Sequence, residues 1–405
     1  MTEGVADARN RATERHVTLY RRWADGGAGI LLTGNVQVDR RFLERAGNIA
    51  IDGPQDRSQL AALEATAEAG TSNDAHLWMQ ISHAGRQTPK LVATEPVGPS
   101  EIPVALPGRR FGKPRALSGD EIRDVITRFA FAAGIAKQTG FTGVQVHSAH
   151  GYLLSEFLSP RVNVRDDEWG GSLENRARLL VDTVRAVRAK VGPDFPVTVK
   201  LNSADFQKGG FSFDDCLRVI EMLNEEGLDM LEISGGNYEQ PKLMGIAGLE
   251  PVFEQKVRHS TRAREAYFFD YAVAASQVAR MPLMVTGGFR SAIGMGEALS
   301  GGDVDMIGLA RPLCVDANFP AKILSGELQE APDVEAGLRI GPGILRPNSR
   351  LPIIKAMNGF ARLGWYYEQI YRLADGLEPD LSMSALRALL AYEKTEKTKA
   401  RELRR

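Results

Sequence analysis

Short apolar runs rich in β-branched residues recur along the chain, each followed by a longer stretch whose apolar positions return every three to four residues. The runs are Gly29–Thr33, His76–Ser82, Gly143–His147, Pro196–Asn202, Asp229–Ser234, Pro282–Thr286 and Asp303–Leu309. The helical stretches between them include Ser58–Ala69, Ser118–Thr139, Leu173–Lys190, Phe213–Glu226, Ala263–Val278 and Ala292–Leu299. Strands buried on both faces read as near-continuous apolar runs, so this alternation predicts parallel βα units. Gly140, Gly227 and Gly301 stand where a helix ends before the next strand, and each is expected in the left-handed conformation that closes a helix.

Eight strands close a (β/α)8 barrel, and the pattern offers seven. Met1–Gly4 leads almost directly into Arg15–Trp23, a helical pattern with no strand before it. The expectation is a chain that begins at the end of strand one, with roughly 20 to 30 residues missing upstream. Such a barrel would carry two unpaired edges. A doubly wound dinucleotide-binding sheet is the rival architecture, but no strand leads into a GxGxxG turn. Polar and glycine residues cluster instead just after strand upon strand, as at the C-terminal mouth of a barrel. The expected architecture is therefore an α/β fold, a (β/α)8 TIM barrel lacking most of strand one, over residues 1–330. A C-terminal helical extension over residues 331–405 follows. In it Gly337–Pro352 reads as loop, and Ala356–Ala374 and Ser384–Arg401 read as helices. The first of these helices carries Trp365, Tyr366, Tyr367 and Tyr371, which cap the barrel or serve a subunit contact in a homo-oligomer.

Composition narrows the function. A formal net charge of −1 and the absence of long basic runs leave no nucleic-acid footprint, and the mixed-sign tail Glu393–Arg405 reads as a solvated helix end. Two cysteines far apart, Cys216 and Cys314, argue against a disulfide scaffold, a cysteine-held zinc or an iron–sulfur cluster. No run approaches the length of a membrane span, and Met1–Asn10 has no apolar core of a secretory signal. A cytoplasmic enzyme acting on a small molecule, without a metal, is the expectation.

The most informative segment is His147–Pro160 (HSAHGYLLSEFLSP), which leaves a strand at Val146. Two imidazoles three residues apart can converge on one anion or carbonyl oxygen. Tyr152, two residues on, offers a phenol suited to protonating a carbanion-like carbon at neutral pH. Metal ligation by the pair would want a third ligand close by, and Glu156 lies four residues past the tyrosine. On the residues alone, the two readings stay level.

This segment and the one after it, Arg161–Arg178 (RVNVRDDEWGGSLENRAR), resemble the signature of the Old Yellow Enzyme family of FMN-dependent ene reductases. The likeness extends to Met1–Gly4, Gln80–Arg86 (QISHAGR), Val199–Asp205 (VKLNSAD), Ile233–Gly236 (ISGG), Val285–Gly288 (VTGG) and Ile307–Pro312 (IGLARP). The resemblance implies that His147 and His150 bind the substrate carbonyl oxygen and that Tyr152 protonates the α-carbon. It implies that Gln80 meets the flavin pyrimidine edge, which an amide's paired donor and acceptor suit. Lys200 stands where many relatives carry arginine; it keeps the cation near N1 and O2 but loses the planar fork. A lone lysine inside a strand also calls for an anionic partner. Gly287, Gly288, Ala310 and Arg311 would cradle the FMN phosphate, with Ala310 in place of the family's usual glycine. Thr2 and Gly34 align with flavin contacts after strands one and two. His83 and Arg86 are read as structural.

The implied cycle is ping-pong: NADH or NADPH reduces FMN, and an α,β-unsaturated carbonyl compound then takes its place. Alternatives kept open are a relative acting on amines or dienoyl thioesters, and a truncated, non-catalytic barrel. The loops Pro103–Pro114 and Tyr238–Gly248 are expected to shape the substrate pocket.

Overall fold

The computed structural model describes residues 2–106, 110–239 and 266–404. Its main sheet is parallel, in the order β1 (Ile30–Leu32), β3 (His76–Ser82), β6 (Gly143–Ser148), β7 (Val197–Asn202), β8 (Met230–Ser234), β9 (Leu283–Thr286) and β10 (Met306–Gly308). A two-residue strand, β2 (Val36–Gln37), adds to the end of β3, while β4 (Val97–Gly98) and β5 (Arg115–Ala116) pair separately. All seven expected strands are present within a few residues of their apolar runs. The sheet curls. Ile30 and Leu32 from one end share a single interior cluster with Met284 and Met306 from the other, together with Trp78 and Met230. A flat sheet could not bring its two outer strands to one cluster. Among the described residues β1 and β10 are not paired with each other, so the sheet is an open, barrel-like curl.

The helices begin where the sequence supplies caps. Asp56 accepts from the Gln59 amide before Arg57–Gly70, Ser118 from Glu121 before Gly119–Gln138, and Ser212 from Asp215 before Phe213–Leu223. At Ser118 the cap is reciprocal, because the Glu121 carboxylate accepts the Ser118 N–H at 2.9 Å. Gly140 and Gly227 have the expected positive φ, at 87° and 66°. Gly301 does not: its φ is −71°, and the left-handed turn falls to Gly302 (φ 73°). The last helix turn simply runs one residue further than the apolar pattern. Of Ala263–Val278, the first three residues lie outside the described residues, and the helix observed is Phe269–Ser276.

Helices Pro352–Ala374 and Ala385–Glu402 build a second core against the Glu14–Asp25 helix and the short Arg311–Val315 helix, centred on the fully buried Trp365 and Leu19. The loop Gly337–Pro352 contains a single helical turn at Gly343–Leu345, and Pro352 opens the following helix rather than ending the loop. No helix among the described residues is long and apolar enough to cross a membrane.

Candidate active site

The parallel register sets the side chains at the strand ends. His147 on β6 is the Cα partner of Lys200 on β7, which is the partner of Glu232 on β8, and Gln80 on β3 is the partner of Gln145 on β6. His147 is buried, and its Nδ1 accepts the Ala149 N–H at 3.2 Å. The proton of the neutral ring therefore sits on Nε2, leaving that nitrogen a donor. His150 adopts a left-handed φ of 62°, its N–H donates to Asn202 Oδ1 at 3.0 Å, and its Nε2 lies 2.8 Å from Ser234 Oγ. The two rings meet edge to face, with centroids 5.1 Å apart. Burial holds both imidazoles well below the ordinary 6.5, His147 further through His150 and Lys200, His150 through Lys200. Both are neutral at physiological pH.

Tyr152 caps the short Leu153–Leu158 helix and sets its ring against His147, with centroids 4.8 Å apart. Its hydroxyl lies 3.0 Å from that of Tyr238, which in turn donates to Glu44 Oε1 at 3.3 Å. Burial, then the Glu44 charge and Tyr238, push the Tyr152 phenol well above its ordinary 10. It is a held proton. Thr2 is buried and spends its hydroxyl on Glu44 Oε2 at 2.7 Å, where Asn35 Nδ2 also donates at 2.6 Å.

The remaining expected residues divide. Gln80 Nε2 donates to Gln145 Oε1 at 2.6 Å, Gln145 Nε2 to Glu232 Oε2 at 2.9 Å, and Lys200 Nζ pairs with Glu232 Oε1 at 2.7 Å. The anionic partner that Lys200 demands is thus present within the chain. Gly34 gives its N–H to Glu3 Oε1 at 2.9 Å, and a Cβ there would stand 2.1 Å from Glu3 Oε2, so the close approach is to the chain's own N-terminal segment. Gly287 and Gly288 follow β9 at φ 137° and 90°, a conformation that favours glycine. Ala310 precedes the Arg311–Val315 helix. Arg311 stands apart from the histidines: its guanidinium pairs with Glu335 at 2.6 Å and lines a small cavity with Arg290, Pro312, Ala331, Val334 and Tyr366. His83 and Arg86 are buried; His83 Nδ1 accepts the Gly85 N–H, and Arg86 pairs with Glu239 and donates to the Ile102 and Pro103 carbonyls. Residues 107–109 and 240–248 of the two expected pocket loops lie outside the described residues.

Glu44, Tyr238, Gln145 and Glu232 were not singled out from the sequence. Glu232 carried a signal: it is an acid in the middle of an apolar strand, and it is the register partner of the lysine that needed it. The donor set suits FMN. Strands β3 and β7 offer an amide and an ammonium, and left-handed glycine backbone follows β9 while the Arg311 guanidinium follows β10. These match a pyrimidine edge and a phosphate.

Comparison with known proteins agrees. The sequence model of the NADH:flavin oxidoreductase / NADH oxidase family matches residues 1–330. The chain is 38% identical over 340 residues to the NADH-dependent flavin oxidoreductase iliE of Hypocrea jecorina, covering 80% of this chain and 83% of that one. A solved 2-naphthoyl-CoA reductase superposes with a TM-score of 0.70 at 26% identity, over 80% of this chain and 48% of the other. The Old Yellow Enzyme homologue of Zymomonas mobilis shares the fold, with a TM-score of 0.67 at 24% identity over 82% and 88% of the two chains. Relatives of this kind are FMN-dependent and include NADH-dependent enzymes. The chain belongs to the NADH:flavin oxidoreductase / NADH oxidase family, the Old Yellow Enzyme family.

Proposed function

We propose that this protein transfers hydride from NADH or NADPH, by way of FMN, to the activated carbon–carbon double bond of an α,β-unsaturated carbonyl compound, acting on a small molecule in the cytoplasm. Residues 1–330 form the flavin-binding barrel and residues 331–405 a helical extension against it. The observation that carries the reading is the pair of neutral imidazoles, His147 buried and His150 half-buried, beside a proton-bearing phenol at the end of one strand.

In this reading Gln80 and Lys200 hold the pyrimidine edge of FMN, and Gly287, Gly288, Ala310 and Arg311 hold its phosphate. Thr2 lies toward the flavin from the β1 side, and Gly34 serves the site by holding the Thr2–Glu3 segment against the end of β1. When bound, FMN supplies the hydride. The chain supplies the rest. His147, with its proton on Nε2, donates to the substrate carbonyl oxygen, and His150 approaches the same oxygen. Neutral donors favour the charge that grows on that oxygen in the transition state more than they favour the ground-state carbonyl. Tyr152 gives its proton to the α-carbon. Its high proton affinity keeps it un-ionised while the substrate waits, and a carbanion-like carbon is basic enough to take the proton.

The likeness to a 2-naphthoyl-CoA reductase favours, as a second reading, a thioester carbonyl in the same place. The test is anaerobic. Purified protein saturated with FMN is reduced with NADH or NADPH and then mixed with a simple cyclic enone or an unsaturated thioester. Reoxidation of the flavin with one saturated product per flavin is expected. A flavin that NADH bleaches but no activated alkene reoxidises would overturn the assignment.

A further inference from the structure

Four strands place Gln80, Gln145, Glu232 and Lys200 in one buried polar chain, and the direction of its hydrogen bonds is dictated by chemistry. A carboxylate can only accept. Glu232 Oε2 therefore requires the amino side of the Gln145 amide, which faces it at 2.9 Å. Gln145 must then turn its oxygen to Gln80, and Gln80 its amino group to Gln145, at 2.6 Å. The Gln80 oxygen is left as the acceptor at the other end of the chain of bonds. The other carboxylate oxygen, Oε1, meets Lys200 Nζ at 2.7 Å and offsets its charge. Glu232 is wholly buried in the middle of β8, so none of this is a surface accident.

We infer that Glu232 is a positioning residue for FMN, fixing Gln80 as an acceptor and screening the Lys200 cation so that the bound flavin is held at a lower reduction potential. The inference rests on the reading that Gln80 and Lys200 meet the pyrimidine edge. That edge carries one donor, N3–H, between two carbonyl oxygens, and an acceptor from Gln80 with a donor from Lys200 is complementary to it. A glutamine at position 232 reverses the order. It can still accept from Lys200, but its amino group then faces Gln145, which must flip and force Gln80 to present its amino side. The same change strips Lys200 of its counter-charge, and an unscreened cation favours the anionic reduced flavin.

The experiment compares wild type, Glu232→Gln, Glu232→Asp and Gln145→Met by titrating apo-protein with oxidised FMN and by measuring the midpoint potential of bound flavin. Glu232→Gln should bind oxidised FMN about tenfold more weakly. The ratio of oxidised to reduced dissociation constants should rise about tenfold, a positive shift of about 30 mV for the two-electron couple. Glu232→Asp, which keeps the charge and the acceptor, should restore the wild-type potential. Gln145→Met, which cuts the amide chain but leaves the ion pair, should weaken FMN without raising the potential, and it decides the matter if Glu232→Gln does not fold. Wild-type protein that binds no FMN would overturn the functional reading itself. FMN bound normally, with the potential of Glu232→Gln unchanged or lowered, or with Gln145→Met affinity unchanged, would overturn this inference alone.

Discussion

Glu156 gives a stability prediction whose sign and size can both be worked out. It lies on the Leu153–Leu158 helix, four residues past Tyr152 in the candidate catalytic segment, and is almost completely buried. Its Oε1 accepts the Arg86 N–H at 2.9 Å, and its Oε2 has no hydrogen-bond partner among the described residues. Gly85, at φ 59°, brings backbone so close that a Cβ would stand 2.4 Å from the carboxylate. Burial raises the carboxyl from its ordinary 4.5 to about 8, partly offset by Arg86 and by its backbone N–H. The folded-state value exceeds the unfolded one, so the stabilisation is complete below pH 4.5 and is lost as pH rises through about 8. At about 1.4 kcal/mol per tenfold in proton affinity, the loss approaches roughly 5 kcal/mol. Glu156→Gln is neutral at every pH and loses nothing. Urea midpoints of both proteins from pH 5 to 9, at one fixed FMN concentration, should show the variant gaining several kcal/mol on wild type as pH rises. The buried His16 and His83, depressed to about 3 and about 4, push the other way, with stability present above 6.5 and lost as pH falls. They act equally in both proteins, so they cancel in the difference. A difference flat within about 1 kcal/mol, the size of one ordinary hydrogen bond, would refute the reasoning.

Three further outcomes follow from the geometry. Tyr152→Phe should slow alkene reduction by about 10²- to 10⁴-fold in stopped flow, the usual worth of a positioned acid, while flavin reduction by NADH stays unchanged; equal slowing of both half-reactions would remove Tyr152 from the acid's role. Arg45 is buried, pairs with Glu396 at 2.6 Å, donates to Tyr371 and to the Thr2 carbonyl, and lies 3.8 Å from the centre of the Tyr367 ring. Arg45→Met leaves Glu396 without its cation and should cost about 3–5 kcal/mol in denaturant unfolding, with part recovered by adding Glu396→Gln; full additivity would show that the pair is not coupled. Gly287→Ala forces a side chain into φ 137° and within 3.0 Å of Phe268, and should weaken FMN binding by fluorescence titration; unchanged affinity would take that turn out of the phosphate cradle.

Most of the architecture was legible in the sequence because its central strands are buried on both faces. Runs such as His76–Ser82 contrast sharply with the amphipathic helices after them, and caps such as Ser118 with Glu121 mark the boundaries. The two-residue strands β2, β4 and β5 were not legible, since so short a stretch has no period. Gly301 shows the usual one-residue slip at a helix end. In the site, His147, His150 and Tyr152 could be read because they lie within one local segment. The partners could not. Glu44 and Tyr238 reach Tyr152 from two loops distant in sequence, and Gln145 meets Glu232 across the curl of the sheet over β7. Arg311 follows the last strand, and its pairing with Glu335 depends on how the chain after that strand folds back.

In the proposed site, separate strand ends serve one flavin, with two imidazoles over it. Phenols that sit over an oxidised flavin, held by such donors, give a long-wavelength charge-transfer band. The most direct measurement is therefore a phenol titration of FMN-loaded wild type and of the His147→Ala, His150→Ala double variant. Wild type should develop the band, and the variant should keep its FMN yet show no band at any phenol concentration. A variant that binds FMN and forms the band with unchanged affinity would contradict the claim.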